Sequence, residues 1–395
     1  MRNADNPLIC YVSDERFPSR WTDTQQIMKT ATALADEGAR VDLVLPRRWG
    51  SVWKGKKARM AQLMAHYGIE PQFELTQILT VPAGASRIEK FTHGIVAPFY
   101  MLLRGHDVLY TRNVLPLCVA LCLGRCVVFE SHRNLKAHQP INYFFINLFR
   151  PMRRFLGVVS NARFISEAYE AMGFSPERIY LVHNAFDPRD MEPRLDKREA
   201  RRQIGMEGSE PIVCYAGHIQ QRKGIDMVID LAARLPETRF LICGGFPEDV
   251  ANAERLAAER GAKNMRFTGW IDVAKLAPYL YAADVLLVPP ARAPLERHGN
   301  TVLPIKTYTY LSAGRVIVAP RLPDVEEVLQ DGENALLVTP DQPEEAVAAI
   351  RRALSDPALA ARLGENARNR QFDFTWKARA LRIRHFLSER LKTCP

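Results

Sequence analysis

The sequence predicts an α/β protein built from two successive doubly wound domains, each a parallel sheet covered by helices. Three observations carry that expectation. Short buried-strand runs alternate with helix-period segments along the whole chain, the pattern of repeated βαβ units. A charged, proline-punctuated stretch at 188–210 (PRDMEPRLDKREARR at its centre) interrupts the alternation near the middle, and the pattern then restarts. No segment reaches the run of about 18 uncharged apolar residues expected of a membrane span. The nearest, Val114 to Phe129, is broken by Pro116 and Arg125 and reads as a helix feeding a buried strand. The 395 residues leave room for two or three domains at roughly 150 residues each.

In the first half, Leu8–Val12 is a buried-strand candidate. Thr22-Asp23 can cap a helix to about Glu37, with Ile27, Met28, Ala31, Leu34 and Ala35 at the helical period and Gly38 ending it. Val41–Leu45 is the next strand. Further strands are expected at Asp107–Tyr110, Cys126–Phe129, Gly157–Val159 and Ile179–Val182. Helices are expected at Val52–Tyr67, Val114–Leu123, Ile141–Leu156 and Ala162–Met172. Residues 70–106 give no clear pattern.

In the second half, strands are expected at Ile212–Tyr215, Arg239–Cys243, Met265–Thr268, Asp284–Val288, Val316–Val318 and Ala335–Val338. Thr301 to Pro320 (TVLPIKTYTYLSAGRVIVAP) has the form of helix, glycine turn and buried strand, with Leu303, Ile305, Tyr308 and Leu311 as the helical stripe. The loop before it, containing Gly299-Asn300, runs from a strand end into a helix N-terminus. Free backbone N–H groups and the positive end of the helix dipole suit a phosphate there. Phe374–Leu391 is a cationic helix with Trp376, Ala380, Ile383, Phe386 and Leu387 on one face. In parallel sheets of this kind ligands bind beyond the carboxyl ends of the strands, so a cleft between the two domains is the expected site.

The composition, 47% hydrophobic and 25% charged, is that of an ordinary globular chain. The net charge of +10 favours an anionic partner, and nucleic acid, a membrane surface or nucleotide-sugar phosphates all satisfy it. The odd count of seven cysteines, mostly within apolar runs, predicts free buried thiols in a reducing compartment. Cys118, Cys122 and Cys126 recur every four residues but lack histidines at ligand spacing, so core packing is the reading for them. The polar amino terminus carries no signal-peptide pattern, which points to the cytosol, with contact to a membrane surface left open.

Two strand ends carry candidate chemistry. YAGHIQQRKG brings Arg222 and Lys223 to the mouth of the second domain. There they neutralise a diphosphate or form a solvated basic turn. VVFESHRNL places Glu130, His132 and Arg133 at the end of a first-domain strand, as a site or as structural polar residues. Between Glu130 and Glu167 there is no acid, while Arg133, Lys136, Arg150, Arg153, Arg154 and Arg163 interleave with INYFFINLF. That surface faces a membrane or an acidic acceptor, or is a packed helix with exposed arginines. GxGxxG after the first strand, GxxxxGK[ST], HExxH and GxSxG are all missing, which argues against dehydrogenases, P-loop enzymes, zinc proteases and α/β-hydrolases.

These motifs together resemble glycosyltransferase family 4, retaining enzymes with the two-domain GT-B fold, over nearly the whole chain. FPSRWTDTQQIMKTATALADEGARVDLV resembles the loop and first helix of the acceptor domain, and VVFESH the strand ending in the family histidine, here His132. GVVSNARFISEAYEAMGFSPERIYLVHNAFDP is similar to the passage before the linker, with Ala185 where glycine is usual. YAGHIQQRKG is similar to the donor-phosphate loop, RFTGWID and LAPYLYAADVLLVPP to the nucleotide-facing segments, and FTWKARALRIRHFL to the last helix, which crosses back to the first domain. The resemblance implies an acceptor-side domain at 1–190 with the returning helix 374–395, and a donor domain at 191–373.

The sequence departs from the family at two places. The family's Gly-Arg before the lysine is Gly217-His218 here, and Arg222 is the candidate replacement for the missing cation. Alignment on Ala313-Gly314 puts the two carboxylates of the family's E-x7-E motif at Thr301 and Thr309, with Pro304, Lys306 and Tyr310 kept and Glu296 five residues too early. The resemblance implies retaining transfer of a sugar from a nucleoside diphosphate sugar to an acceptor hydroxyl, without a required metal or other cofactor. His132, Lys223 and Arg222 are the catalytic candidates. Gly217, His218, Gly299, Asn300, Thr301, Val302, Leu303, Lys306 and Thr309 are the donor-binding candidates. The expected partners are the nucleotide sugar, a glycan or lipid-linked acceptor and an anionic membrane surface at the inner face, with nucleic acid not expected. Two rivals keep the fold: a catalytically silent homologue serving as partner or scaffold of an active transferase, and a sugar-nucleotide epimerase.

Overall fold

The computed structural model describes all residues except 1–5, 20–21, 48–54, 71, 81–85, 220–222, 294–302 and 395. The chain divides into two compact units, Met1–His183 with Trp376–Pro395, and Asn184–Thr375. The linker at 188–210 led to an expected boundary at 190/191. The unit boundary falls earlier because Phe186 and Met191 bury into the second unit's core. The Phe186 N–H also donates to Phe374 O at 3.0 Å.

The first unit alternates β1 (Leu8–Val12), α1 (Thr22–Asp36), β2 (Arg40–Arg47), α2 (Lys56–Tyr67), β3 (Glu74–Leu79), α3 (Ser86–Arg104), β4 (Val108–Thr111), α4 (Val114–Cys122) and β5 (Cys126–Ser131). The short α5 (Leu135–His138), α6 (Pro140–Phe149), β6 (Phe155–Ser160), α7 (Arg163–Ala171) and β7 (Ile179–Leu181) follow. Its seven strands are all parallel, in the order β3-β2-β1-β4-β5-β6-β7. The unpatterned stretch at 70–106 supplies β3 and α3. The helix expected over 141–156 stops at Phe149. Pro151 follows and cannot donate into a continuing helix, and Phe155-Leu156 already belong to β6.

The second unit contains α8 (Lys197–Gln203), β8 (Ile212–Ala216), α9 (Ile225–Arg234), β9 (Arg239–Cys243), α10 (Pro247–Glu259), β10 (Met265–Phe267), α11 (Ala277–Ala282) and β11 (Val285–Leu287). It continues with α12 (Lys306–Ala313), β12 (Val316–Pro320), α13 (Pro323–Glu326), β13 (Leu336–Val338), α14 (Pro343–Ser355) and α15 (Pro357–Arg370). The six strands are parallel in the order β10-β9-β8-β11-β12-β13, so the order reverses between β8 and β11. Such a switch point opens a crevice at the strand carboxyl ends. The helix expected from Thr301 begins only at Lys306, preceded by a turn in which Thr307 N–H donates to Pro304 O at 2.9 Å. Gly314 closes it in the left-handed region at φ 64°.

The last helix, α16 (Trp376–Lys392), lays Ala380, Ile383, Phe386 and Leu387 into the first unit's core beside α1. It also corrects the thiol expectation, since Cys394 is disulfide-bonded to Cys126 at the start of β5. Sequence spacing offers no sign of a pair 268 positions apart. Cys10, Cys118, Cys122, Cys214 and Cys243 are free.

Candidate donor site and the polar node of the first unit

In the second unit the site assembles where β8 ends. Gly217 follows the strand at φ 141°, and its N–H donates to Cys243 O at 2.8 Å on the neighbouring strand. A Cβ on Gly244 would stand 2.2 Å from Gly217 O, so two glycines let the ends of β8 and β9 meet backbone to backbone. Tyrosines brace this turn from both sides. Tyr215 Oη donates to His218 O at 2.6 Å, and Ala216 N–H donates to Tyr310 Oη on α12 at 2.7 Å.

Lys306, the first residue of α12, reaches into the same place. Its Nζ lies 3.7 Å from the centre of the Tyr215 ring and 3.0 Å from where a Gly217 Cβ would be. Burial pushes its pKa well below the usual lysine range, and the nearby charge of Lys223 pushes it further, against a smaller opposing effect of Cys214. Lys223 sits in the turn that Gly224 (φ 82°) carries into α9. The charge of Lys223 is thus felt at Lys306. Among the described residues no carboxylate pairs with Lys306. Thr309 lies half-buried one turn along α12.

Of the other expected donor residues, His218 is exposed and lies beside Phe246 and Trp270, at 6.2 and 5.9 Å between ring centres. Phe246 and Trp270 stack in parallel at 5.5 Å, and Trp270 is 55% exposed. Leu303 sends its side chain into the core, so only its backbone is left for a ligand. Arg222, Gly299, Asn300, Thr301 and Val302 lie outside the described residues, as does Glu296. Sequence reasoning missed Tyr215, Gly244 and the Phe246–Trp270 pair. The Gly244-Gly245 step straight after a buried strand was the readable signal.

In the first unit, His132 stands just beyond β5 with Nε2 2.8 Å from Glu130 Oε1. Glu130 is buried and also takes Arg112 in a forked pair at 3.1 and 3.0 Å, Tyr11 Oη at 3.3 Å and Arg379 of α16. Burial alone would raise its carboxyl; Arg112, then Arg379, overcome that and hold it well below the usual carboxylate range. Burial and the Arg112 charge pull the His132 ring below its ordinary pKa, against the carboxylate's opposite pull. Its side chain keeps 16% of its surface exposed. Glu130 is therefore a structural node, hydrogen-bonded on both oxygens, that orients His132. Arg133 is exposed.

Residues 196–370 match the family described as Glycosyl transferases group 1. An alpha-D-kanosaminyltransferase of Streptomyces kanamyceticus is 31% identical over 193 residues, 48% of this chain and 47% of that protein. A D-inositol 3-phosphate glycosyltransferase of Catenulispora acidiphila is 30% identical over 229 residues, 54% of this chain and 51% of that protein. The chain thus spans about half the length of the curated relatives it matches. The solved structure of Anabaena HepE in complex with UDP and glucose superposes with a TM-score of 0.70 over 97% of this chain and 100% of that one, at 17% identity. Two parallel-sheet Rossmann-like units with a returning C-terminal helix are the GT-B fold.

Proposed function

We propose that the chain is a retaining glycosyltransferase of family 4, moving a sugar from a nucleoside diphosphate sugar to an acceptor hydroxyl in glycan, polysaccharide or glycolipid biosynthesis. The observation that carries this is the amine of Lys306, with no carboxylate paired to it among the described residues, 3.0 Å from where a Gly217 Cβ would stand at the second sheet's switch point. A diphosphate there favours the protonated form of Lys306, and the charge that develops on it as the sugar leaves is stabilised by a group already in position. Thr309 is assigned to the ribose, the Phe246–Trp270 face to the base and His132 to the sugar. The lysines supply the cationic charge, and the reaction is proposed to need no metal. The acceptor is a glycan or a lipid-linked group, and the protein works in the cytoplasm with an anionic membrane surface as a partner of its basic first unit.

A thermal-shift series with UDP, GDP, ADP and their sugar conjugates tests the donor site, since a ligand of the native state raises the midpoint. One nucleotide family should shift the wild type, and Lys306→Ala and Lys223→Ala should each reduce that shift. Transfer efficiency should fall about 10²–10³-fold in either variant. No shift with any nucleotide at millimolar concentration would sink the donor assignment. A second reading, a silent homologue that partners an active transferase, is favoured by Thr309 at the helix position of a family carboxylate. It predicts no sugar transfer to any acceptor, with or without a nucleotide shift.

A further inference from the structure

The outer surface of the first unit's helical layer is apolar where a water-facing layer would be charged. α3, α4 and α6 lie side by side on one face of the sheet, sharing a core through Ala97, Met101, Leu117, Ala120 and Ile146. On α3 those inward residues leave Ile88, Phe91, Ile95, Phe99 and Leu102 recurring every three or four positions on the opposite side. Phe91 is 57% and Leu103 85% exposed. α4 (VLPLCVALC) carries no charged residue at all, and Gly94 of α3 closes against its Leu115, a Cβ there meeting Leu115 Cδ2 at 2.9 Å. α6 (PINYFFINLF) is likewise uncharged. Ile146 points inward, while Ile141, Phe144, Phe145 and Leu148 face out at i, i+3, i+4 and i+7. α3 and α6 thus expose apolar side chains on either side of the uncharged α4, whose Leu115, Cys118 and Val119 are half-buried between them.

Charge decides what covers it. From Lys90 to Ser166 the chain holds ten lysines and arginines against two carboxylates. Both acids are engaged inward, Asp107 accepting the Leu8 N–H at 2.8 Å and Glu130 in its buried node. Exposed Arg133, Lys136 and Arg153 flank α6. Apolar side chains surrounded by cations match a surface with acyl chains beneath anionic headgroups, whereas a second copy would bring cation against cation. Among the described residues no helix is long and apolar enough to cross a membrane.

We propose that the outer faces of α3, α4 and α6 form a docking face that inserts into the headgroup region of an anionic lipid bilayer. This deepens the membrane-partner part of the proposed function and does not depend on sugar transfer. The test is flotation of the full chain with phosphatidylcholine vesicles, with and without phosphatidylglycerol, at low and high salt. Two variants accompany it, Phe99→Ser with Phe144→Ser in the face and Lys136→Glu with Arg153→Glu at the rim, each checked for an unchanged melting midpoint. The wild type should float with the anionic vesicles and lose binding as salt rises. Each variant should partition about tenfold less, the first from lost apolar insertion and the second from lost headgroup attraction. If wild type and variants float equally, the membrane partner stands and this face is the wrong one. If the wild type binds no vesicle, the membrane reading itself fails. A lipid-free dimer in light scattering that the face variant dissolves would assign the face to a second copy and overturn the proposal.

Discussion

The strand ends of the two units treat charge in opposite ways. In the first, one buried carboxylate is surrounded by two guanidiniums, an imidazole and a phenol, and both of its oxygens are hydrogen-bonded within the fold. In the second, the Lys306 amine lies against a glycine turn and the Tyr215 ring, paired with no carboxylate among the described residues, and burial and the charge of Lys223 oppose its ionisation. A carboxylate closed in by its own cations serves stability; a basic group without a carboxylate partner leaves a place for an anion. The contrast separates structural from ligand-binding polar residues better than residue type does, since both clusters hold basic side chains at strand carboxyl ends.

The largest expected effect breaks the carboxylate node. Glu130→Ala leaves Arg112 and Arg379 facing each other without their carboxylate, which should cost about 3–5 kcal/mol and lower the melting midpoint by on the order of 10 °C. Lys306→Met should do the reverse, raising the midpoint while weakening the nucleotide-induced shift. If both substitutions merely destabilise, the distinction between node and site is wrong.

Next in size is a pH effect confined to the first unit. Burial lowers the pKa of His93 on α3 to about 4 from an ordinary 6.5. The ring is therefore neutral in the folded chain, while the unfolded chain takes up a proton below about 6.5. Stability contributed by the neutral ring is present above that value and is lost as the pH falls towards 4. The loss between neutral pH and pH 5 is about 2 kcal/mol. Melting midpoints across that range should fall less steeply in His93→Gln, and an unchanged slope would remove His93 as the cause.

The smallest effect sharpens the second unit. Tyr310→Phe strips the acceptor from the buried Ala216 N–H, at a cost of about 1 kcal/mol. Because that bond braces the Gly217 turn, nucleotide affinity should fall severalfold in isothermal titration although Tyr310 touches no phosphate. Unchanged affinity would mean that the turn holds itself.

The architecture was largely legible before folding, and the site less so. Arg239–Cys243 was read to the residue, and the stripe of α16 lies buried as its period required. The 70–106 stretch was opaque for a reason now visible. α3 shows apolar residues on its outer side as well as its inner one, which erases the amphipathic contrast that periodicity depends on. Lys306 and Lys223 were both named as candidates, but their convergence was not readable, and neither was the link from Arg379 to Glu130 across 249 positions.

By itself the sequence determined the alternation of strand and helix, the glycine turns at Gly217 and Gly314, and the cationic excess of the first half, because period, backbone freedom and charge are local properties. The tertiary structure alone decided which strands became neighbours. Only the order β9-β8-β11-β12 brings the start of α12 over the end of β8. Strand order is chosen by burying sheet and helix faces together, a long-range balance of apolar area that no local window of sequence contains.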